Sequence, residues 1–427
     1  MYTIIEHYKT KIIIKNMSFD STITTIDIGS SKIRTIIWSF DRENKDKFVI
    51  LGMWVTNSTA IRKWNILDME EFKNNLDTSL EEAEKMAWEQ VSHVYLSFNS
   101  SSFEVITSRW VIAISWEEIT QDDVDRVLDM AKWGANFPNR EVLKVIPETF
   151  SVDIEDGVKN PVGMSARKLE ATAKIFSMNT NVLNNIRKAV GDVGIEVLDV
   201  YPNLLSSPEW VLTKRQKELW VVCVDIWAST TWITVYEEWV LKHSAVIPLG
   251  WDSVTNDIAL GMRTSTIVAE KLKLEYAIAS TEENPVPDRK LNLEKLSMWE
   301  EWEVSLEYLS QIVTARYEEI FYFVREELKA IWKDGMLPEW AIFVWWGVKV
   351  KQFLDSAKQS LKLPCFIGTP ILEDDISDWF VNDPVSAAVI WTLILSNRYA
   401  IETSWSFSLN IWWFLKSFVS VFKKLLP

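Results

Sequence analysis

Glycine is what the chain most conspicuously lacks. Its 427 residues include 12 glycines, where ordinary usage near 7% would give about 30. Cysteine and histidine are also few, at two and three. Cys223 and Cys365 both lie in apolar runs, so they read as buried reduced thiols and a disulfide framework is not supported. His7, His93 and His243 stand apart from one another and from both cysteines, so no metal-ligand spacing forms. Positive charge is in deficit: 45 Lys and Arg against 60 Asp and Glu leave a net −15, which argues against a nucleic-acid binder. No apolar run approaches the roughly 20 residues of a membrane-spanning helix, and no secretory signal pattern opens the chain. A cytoplasmic protein is expected. Residues 1–16 precede a more natural start at Met17 and read as an upstream mis-start or an extension, with no function assigned.

Tryptophan fills the gap that glycine leaves. Adding the 24 tryptophans to the 12 glycines gives 36, an ordinary glycine content for this length. The stretch Val221 to Tyr236, VVCVDIWASTTWITVY, shows where they fall. It reads as a buried strand, a tight polar turn and a second strand. Such a turn calls for glycine, which accepts positive φ and lets other groups approach the backbone. The two glycine-type positions are Trp227 and Trp232. Trp345 and Trp346 precede Gly347, Trp251 follows Gly250, Trp412 and Trp413 adjoin an amphipathic segment, and Trp64 interrupts a turn. Most of these tryptophans therefore read as glycines of the natural protein. A gene that uses UGA for glycine, translated with UGA as tryptophan, gives this pattern. The opposing reading is a chain truly rich in tryptophan. Overpacking costs roughly 1–3 kcal/mol per site, against a total stability of about 5–15 kcal/mol. A dozen such side chains at tight turns would leave little folded protein.

Along the chain the order is strand, Gly-Ser turn, strand from Thr22, then a helix over Met69 to Met86 and a strand over Val91–Phe98. Residues 102–175 read as a compact α+β insert: strand FEVITSRWVIAI, helix TQDDVDRVLDMA and strands within VLKVIPETFSVD. A helix over Asn181–Val190 and a strand over Ile195–Val200 follow. The second half opens at Leu219 and repeats the first, with an Asp before the turn in each. Residues 252–335 read as mostly helical around a polar stretch at 281–303. Ala341–Val344 is a strand, Pro384–Asn397 a helix, residues 398–408 a Ser/Thr-rich linker, and residues 409–426 a last helix.

Three turns carry the chemistry. The first supplies Asp27, Gly29, Ser30, Ser31 and Lys32: a carboxylate, a flexible backbone, hydroxyls and a cation. Backbone N–H groups of such a turn form a concave anion site, and lysine adds charge for a phosphate. The second supplies Asp225, Trp227, Ser229, Thr230 and Thr231. Two facing turns can grip a polyphosphate, with a divalent cation near Asp27 and Asp225. The third, Trp345, Trp346 and Gly347, lets a base and ribose lie against the backbone if its tryptophans are glycines. Each alone reads equally well as an ordinary hairpin; three in order over 320 residues do not.

With these motifs in place, the chain resembles the actin/Hsp70/sugar-kinase superfamily and, within it, the bacterial cell-division family FtsA. The likeness runs from about Thr22 to the last residue. It includes IDIGSSKIRTIIW, SRWVIAIS, VIPETFSVD, GMSARKLE, the region around VVCVDIWASTTWITVY, and FVWWG. Reading tryptophan as glycine sharpens each match. The resemblance implies an α/β, actin-like (ribonuclease H-like) two-domain fold with a duplicated core and an inserted α+β subdomain. It divides the chain into residues 17–101 and 181–218 (subdomain 1A), 102–180 (the insert, 1C), 219–251 and 338–384 (2A), and 252–337 (2B). A return helix at 385–397, the linker and a membrane-targeting helix at 409–427 complete it. It implies ATP and Mg²⁺ on the three turns, with Asp27 and Asp225 near the metal. Glu270 and Lys271, in IVAEKLKLEYA, fall where relatives contact the nucleoside. At Tyr201-Pro202-Asn203, where relatives with strong hydrolysis carry a water-activating side chain, no base is evident, and Glu209 is the nearest carboxylate. At most a weak ATPase is expected.

The tail carries a separate signal. In NIWWFLKSFVSVFKKLLP, Phe414, Leu415, Phe418, Val419, Phe422, Leu425 and Leu426 recur at spacings of three and four, with Lys423 and Lys424 off that stripe. Such a helix lies in a membrane interface, and its lysines suit anionic lipid. Packing back on its own domain is the alternative. The helix QIVTARYEEIFYFVREELKA presents Arg316 and Glu319 on a charged face. A solvated face accounts for these, whereas the resemblance implies contacts to the C-terminal tail of the tubulin-like protein FtsZ. The resulting expectation is an actin-like ATP-binding protein that forms filaments and anchors FtsZ on the inner face of the membrane at the division site. The alternatives are a PilM-like pilus-assembly homologue and, from another class, a small-molecule kinase of the same superfamily.

Overall fold

The computed structural model describes residues 22–30, 32–40, 48–62, 65–98, 100, 102–115, 118–135, 138–279, 286–287, 289–297, 299–300, 302–344, 348 and 350–368. The first half opens with β1 (Thr22–Ile28), β2 (Lys32–Phe40) and β3 (Phe48–Asn57), and continues through a short hairpin of β4 (Ile61–Arg62) and β5 (Asn65–Ile66). Helix α1 (Met69–Ala87) and β6 (His93–Phe98) complete this part. An insert follows, made of β7 (Glu104–Ala113), α2 (Gln121–Gly134), β8 (Arg140–Val152), β9 (Glu155–Val158) and β10 (Lys168–Asn179). Helix α3 (Thr180–Asp192) and β11 (Glu196–Pro202) return to the first sheet, and α4 (Asn203–Val211) and α5 (Lys214–Glu218) leave it. The second half runs β12 (Val221–Ile226), β13 (Thr231–Glu237), β14 (Val240–Ile247), α6 (Trp251–Met262), α7 (Thr266–Tyr276), β15 (Lys290–Asn292), β16 (Glu303–Ser305), α8 (Leu306–Ala330), β17 (Ala341–Val344), α9 (Phe353–Leu361) and β18 (Cys365–Ile367).

The two halves are copies in topology. One sheet has the order β11-β6-β1-β2-β3 and the other β18-β17-β12-β13-β14. In each, the opening hairpin is antiparallel and its first strand pairs in parallel with a later one, β1 with β6 and β12 with β17. Strands covered on both faces read as continuous apolar runs rather than alternations, and all six residues of β12 are buried. Around the first sheet α1 starts on Asp68, whose carboxylate accepts the N–H groups of Glu70 and Glu71, as an N-cap should. Its buried face, Phe72, Leu76, Leu80 and Ala83, follows the three-and-four spacing of an amphipathic helix.

The insert is a sheet of order β7-β10-β8-β9 under α2, which opens with a Thr120–Asp123 capping box. The segment expected to hold separate strands is one bulged strand, β8. The polar stretch expected within residues 281–303 contributes the small hairpin of β15 and β16. The expected helix at 384–397, the linker and the helix at 409–426 lie outside the described residues.

Left-handed backbone falls repeatedly on tryptophan: Trp88 at φ 57°, Trp239 at 70°, Trp332 at 60° and Trp340 at 77°. That conformation favours glycine and costs another residue about 1–2 kcal/mol. Trp88 is the C-cap of α1, where glycine is the commonest choice. Glu238, at φ 48°, and Trp239 form the two-residue loop between β13 and β14. Positive φ at both positions is the type I′ hairpin turn, whose second residue is typically glycine. Trp88 and Trp332 are 87% and 88% exposed, so packing does not offset the strain there.

Candidate functional site

Each half presents its turn at the end of its first strand, and the two turns share one backbone design. In the first, the Gly29 N–H donates to the Lys32 carbonyl at 2.9 Å; in the second, the Trp227 N–H donates to the Thr230 carbonyl at 2.8 Å. A Cβ on Gly29 would lie 2.8 Å from the Lys32 carbonyl oxygen, so the first turn requires glycine. Trp227 occupies the equivalent place in the second. Its ring is 4% exposed and joins the core of the first half, as does Trp232. Trp232 donates its ring N–H to the Thr230 hydroxyl at 3.0 Å and meets Phe103 edge-on at 5.5 Å. The second turn in turn docks on the start of α6: Trp251 N–H donates to the Trp227 carbonyl at 2.8 Å and Asp252 N–H to Ala228 at 2.7 Å. Gly250 permits this, because a Cβ there would come within 2.3 Å of the Trp227 oxygen.

One short helix holds both aspartates. Asn203 and Ser207, four residues apart on α4 and so on one face, reach Asp27 and Asp225 respectively. Asn203 donates to Asp27 Oδ1 at 3.0 Å and its own oxygen accepts from Ser97, while Ser207 donates to Asp225 Oδ2 at 2.6 Å. Arg34, which faces Asp27 across the β1–β2 ladder, pairs with Asp27 Oδ2 at 2.9 Å. Both carboxyls are buried, and burial holds both above the usual carboxylate range, Asp225 at about 7. Asp225 Oδ1, Ser30 Oγ and Ser229 Oγ are buried without a hydrogen-bond partner. Buried polar groups are normally satisfied, so three such atoms on the two turns mark a place where a polar ligand belongs.

A second cluster lies beside the second turn. Lys273 is fully buried and pairs with Glu270 at 2.6 Å, while the Thr255 hydroxyl donates to Glu270 at 2.6 Å and accepts from Lys273 at 2.5 Å. Burial lowers the Lys273 ammonium to about 8 against the opposing pull of Glu270. The Trp251 ring caps the pair: Lys273 lies 3.8 Å from its centre, and its ring N–H reaches Glu270 at 3.3 Å. Lys271, expected with Glu270, instead points to the surface and donates to the Leu296 carbonyl.

Of the other expected residues, Thr230 and Thr231 are buried in the second turn, and Thr231 donates to the Leu249 carbonyl at 2.8 Å. Ser31, Trp345, Trp346, Gly347 and the tail residues Phe414 to Leu426 lie outside the described residues. Arg316 pairs with Asp257 at 2.6 Å and with Glu319 on α8, away from the turns. Glu209 pairs with Lys217 at 2.5 Å, and both ends of the Asn203 amide are engaged, so neither stands ready as a base. No group of three or more metal-ligating side chains occurs among the described residues, and none of the described helices is long and apolar enough to cross a membrane. Sequence reasoning missed Ser207, Lys273 and the grip of Asn203. Asn203 and Ser207, four apart at the start of the helix NLLSSPEWV, are the signal that could have found the first and last.

A duplicated sheet with an aspartate before each turn defines an actin-like protein. Solved structures agree: the PilM-PilN type IV pilus biogenesis complex matches with a TM-score of 0.63 at 12% identity, over 87% of this chain and 97% of that one. MreB5 of Spiroplasma citri bound to ADP matches with a TM-score of 0.52 at 11% identity, over 89% and 97%. These likenesses show the fold. Residues 100–177 match the SHS2 domain inserted in FTSA, and residues 222–390 match the model of cell division protein FtsA. The cell division protein FtsA of Pseudomonas aeruginosa is 28% identical over 372 residues, covering 87% of this chain and 88% of its own. That of Escherichia coli K12 is 30% identical over 308 residues, 72% of each. The chain belongs to the FtsA family of cell-division proteins.

Proposed function

We propose that this actin-like cell-division protein binds ATP with Mg²⁺ between its two turns, assembles into filaments, and anchors FtsZ to the cytoplasmic face of the membrane. The observation that carries the nucleotide half is the set of unpartnered buried atoms, Ser30 Oγ, Ser229 Oγ and Asp225 Oδ1, on two turns of one design. The turns would hold the phosphates, Asp225 the cation, and Glu270 with Lys273 the nucleoside side. Bound Mg²⁺ would neutralise phosphate charge. This chain's own residues fix the aspartates, Asn203 and Arg34 holding Asp27 and Ser207 holding Asp225, and at most slow turnover is proposed. Family membership supports the polymer, FtsZ and membrane roles, and the amphipathic pattern of residues 409–427 supports the last. The PilM-like alternative rests on fold alone, and the kinase alternative finds no base among the described residues of the two turns.

The test is reconstitution. The full-length chain with glycine at every tryptophan should, with MgATP, bring FtsZ to vesicles of anionic lipid, and the same chain lacking residues 409–427 should leave both in solution. Equal recruitment by the truncated chain would remove the tether from the account.

We also infer that Trp88, Trp227, Trp239, Trp251, Trp332 and Trp340 stand where the cell's own protein has glycine. Four have left-handed φ, Trp227 matches Gly29, and Trp251 shuts off the Glu270–Lys273 pair. Mass spectrometry of native peptides across these positions should read glycine; tryptophan at 227 would refute the inference.

A further inference from the structure

The two cleft aspartates are not equivalent. Both Asp27 oxygens are occupied, Oδ1 by the Asn203 amide at 3.0 Å and Oδ2 by the Arg34 guanidinium at 2.9 Å. The Arg34 and Asp27 side chains are 12% and 0% exposed, so the charge of Asp27 is compensated inside the protein. Asp225 has only the Ser207 hydroxyl on Oδ2, with Oδ1 lacking a hydrogen bond, although the Trp227 indole also faces its carboxyl. No cationic side chain pairs with Asp225 among the described ion pairs. A buried carboxylate without a counter-charge is costly, and it acquires one or takes a proton.

We propose that the nucleotide's divalent cation docks on Asp225 alone, and that Arg34 is a positioning residue that takes the cation's place at Asp27. The first turn then needs no metal to be held in its shape, and cation release unloads only the second. Asn203 and Ser207, on one helix, register the two sites against each other, so the side on which the cation sits is fixed by which aspartate the arginine occupies. Removing Arg34 opens a second carboxylate to the cation, whereas removing the Arg34–Asp27 pair as a unit leaves cation binding where it was.

This inference rests on the nucleotide reading. Its test uses Mn²⁺ as the probe, with free Mn²⁺ followed by electron paramagnetic resonance as it is titrated into the full-length chain with glycine at Trp227, Trp232 and Trp251, carrying ADP; that chain is the parent of every variant below. The double variant Asp27→Asn/Arg34→Gln preserves net charge and should keep Mn²⁺ affinity within about threefold. Asp225→Asn should lose at least tenfold, and Arg34→Gln alone should gain several-fold. A double variant as defective as Asp225→Asn would overturn the inference, as would Asp225→Asn that binds normally. Circular dichroism of each variant separates misfolding from a lost site, and a misfolded double variant is replaced by Asp27→Ser/Arg34→Met under the same criterion. If this glycine-restored parent takes up no ADP at all, the nucleotide reading itself has failed, an outcome distinct from the other two.

Discussion

The first and second turns have one backbone and different occupants. Where the first has Gly29, the second has a buried indole; where the first aspartate has an arginine, the second has the Ser207 hydroxyl and the Trp227 indole and no cationic partner among the described ion pairs. The comparison separates what the fold demands from what the residue supplies. The hydrogen bond that closes each turn is made by backbone alone, and in the second it forms with tryptophan at the place Gly29 holds in the first. The space beside the turn is not backbone property, and in the second turn it is filled by Trp227, Trp232 and Trp251.

The largest expected effect tests that asymmetry directly. Replacing Trp227, Trp232 and Trp251 together with glycine should raise MgATP affinity by a hundredfold or more, as followed by fluorescent-nucleotide displacement. The mirror change, Gly29→Ala, brings a Cβ to 2.8 Å from the Lys32 oxygen; it should cost about 2 kcal/mol in denaturant unfolding and weaken nucleotide binding at least tenfold.

The pH dependence distinguishes the aspartates. Burial pushes the Asp225 carboxyl up to about 7, above an unfolded value near 3.9. Between about pH 4 and 7 the unfolded chain has released this proton and the folded chain keeps it. Stability from this group is therefore fully present below about pH 4 and is lost as pH rises through about 7, by a few kcal/mol at most. Urea midpoints of the parent should fall across that window relative to those of Asp225→Asn, and added Mg²⁺ should reduce the fall; parallel curves would show that Asp225 is not the group concerned.

The smallest effect is local. Trp239→Gly, in the type I′ loop, and Trp88→Gly, at the end of α1, should each raise stability by about 1 kcal/mol, read from thermal unfolding. The same change at Trp54, at 36% exposure within β3, should not, because an extended strand gains nothing from glycine.

Much of this molecule is legible in its sequence. The doubled strand-turn-strand with its aspartates, the helix at 69–86 and the insert follow from periodicity and caps, which are local. Pairings between distant segments were not legible. Nothing in IVAEKLKLEYA distinguishes Lys271 from Lys273, since only packing of α7 against α6 decides which lysine is buried beside Glu270. Likewise Arg34 reads as one more charge on an alternating strand until the ladder places it opposite Asp27. Glycine-type positions were visible at 227 because the turn repeats, whereas Trp332 and Trp340 declared themselves only through φ.

Calorimetric titration of MgATP into two full-length chains, the sequence as it stands and the same sequence with glycine at every tryptophan, tests the central claim most directly. The account predicts saturable, Mg²⁺-dependent binding at one site in the glycine chain and little or none in the other. Equal binding by both would contradict the reading of the second turn, and no binding by either would contradict the nucleotide cleft.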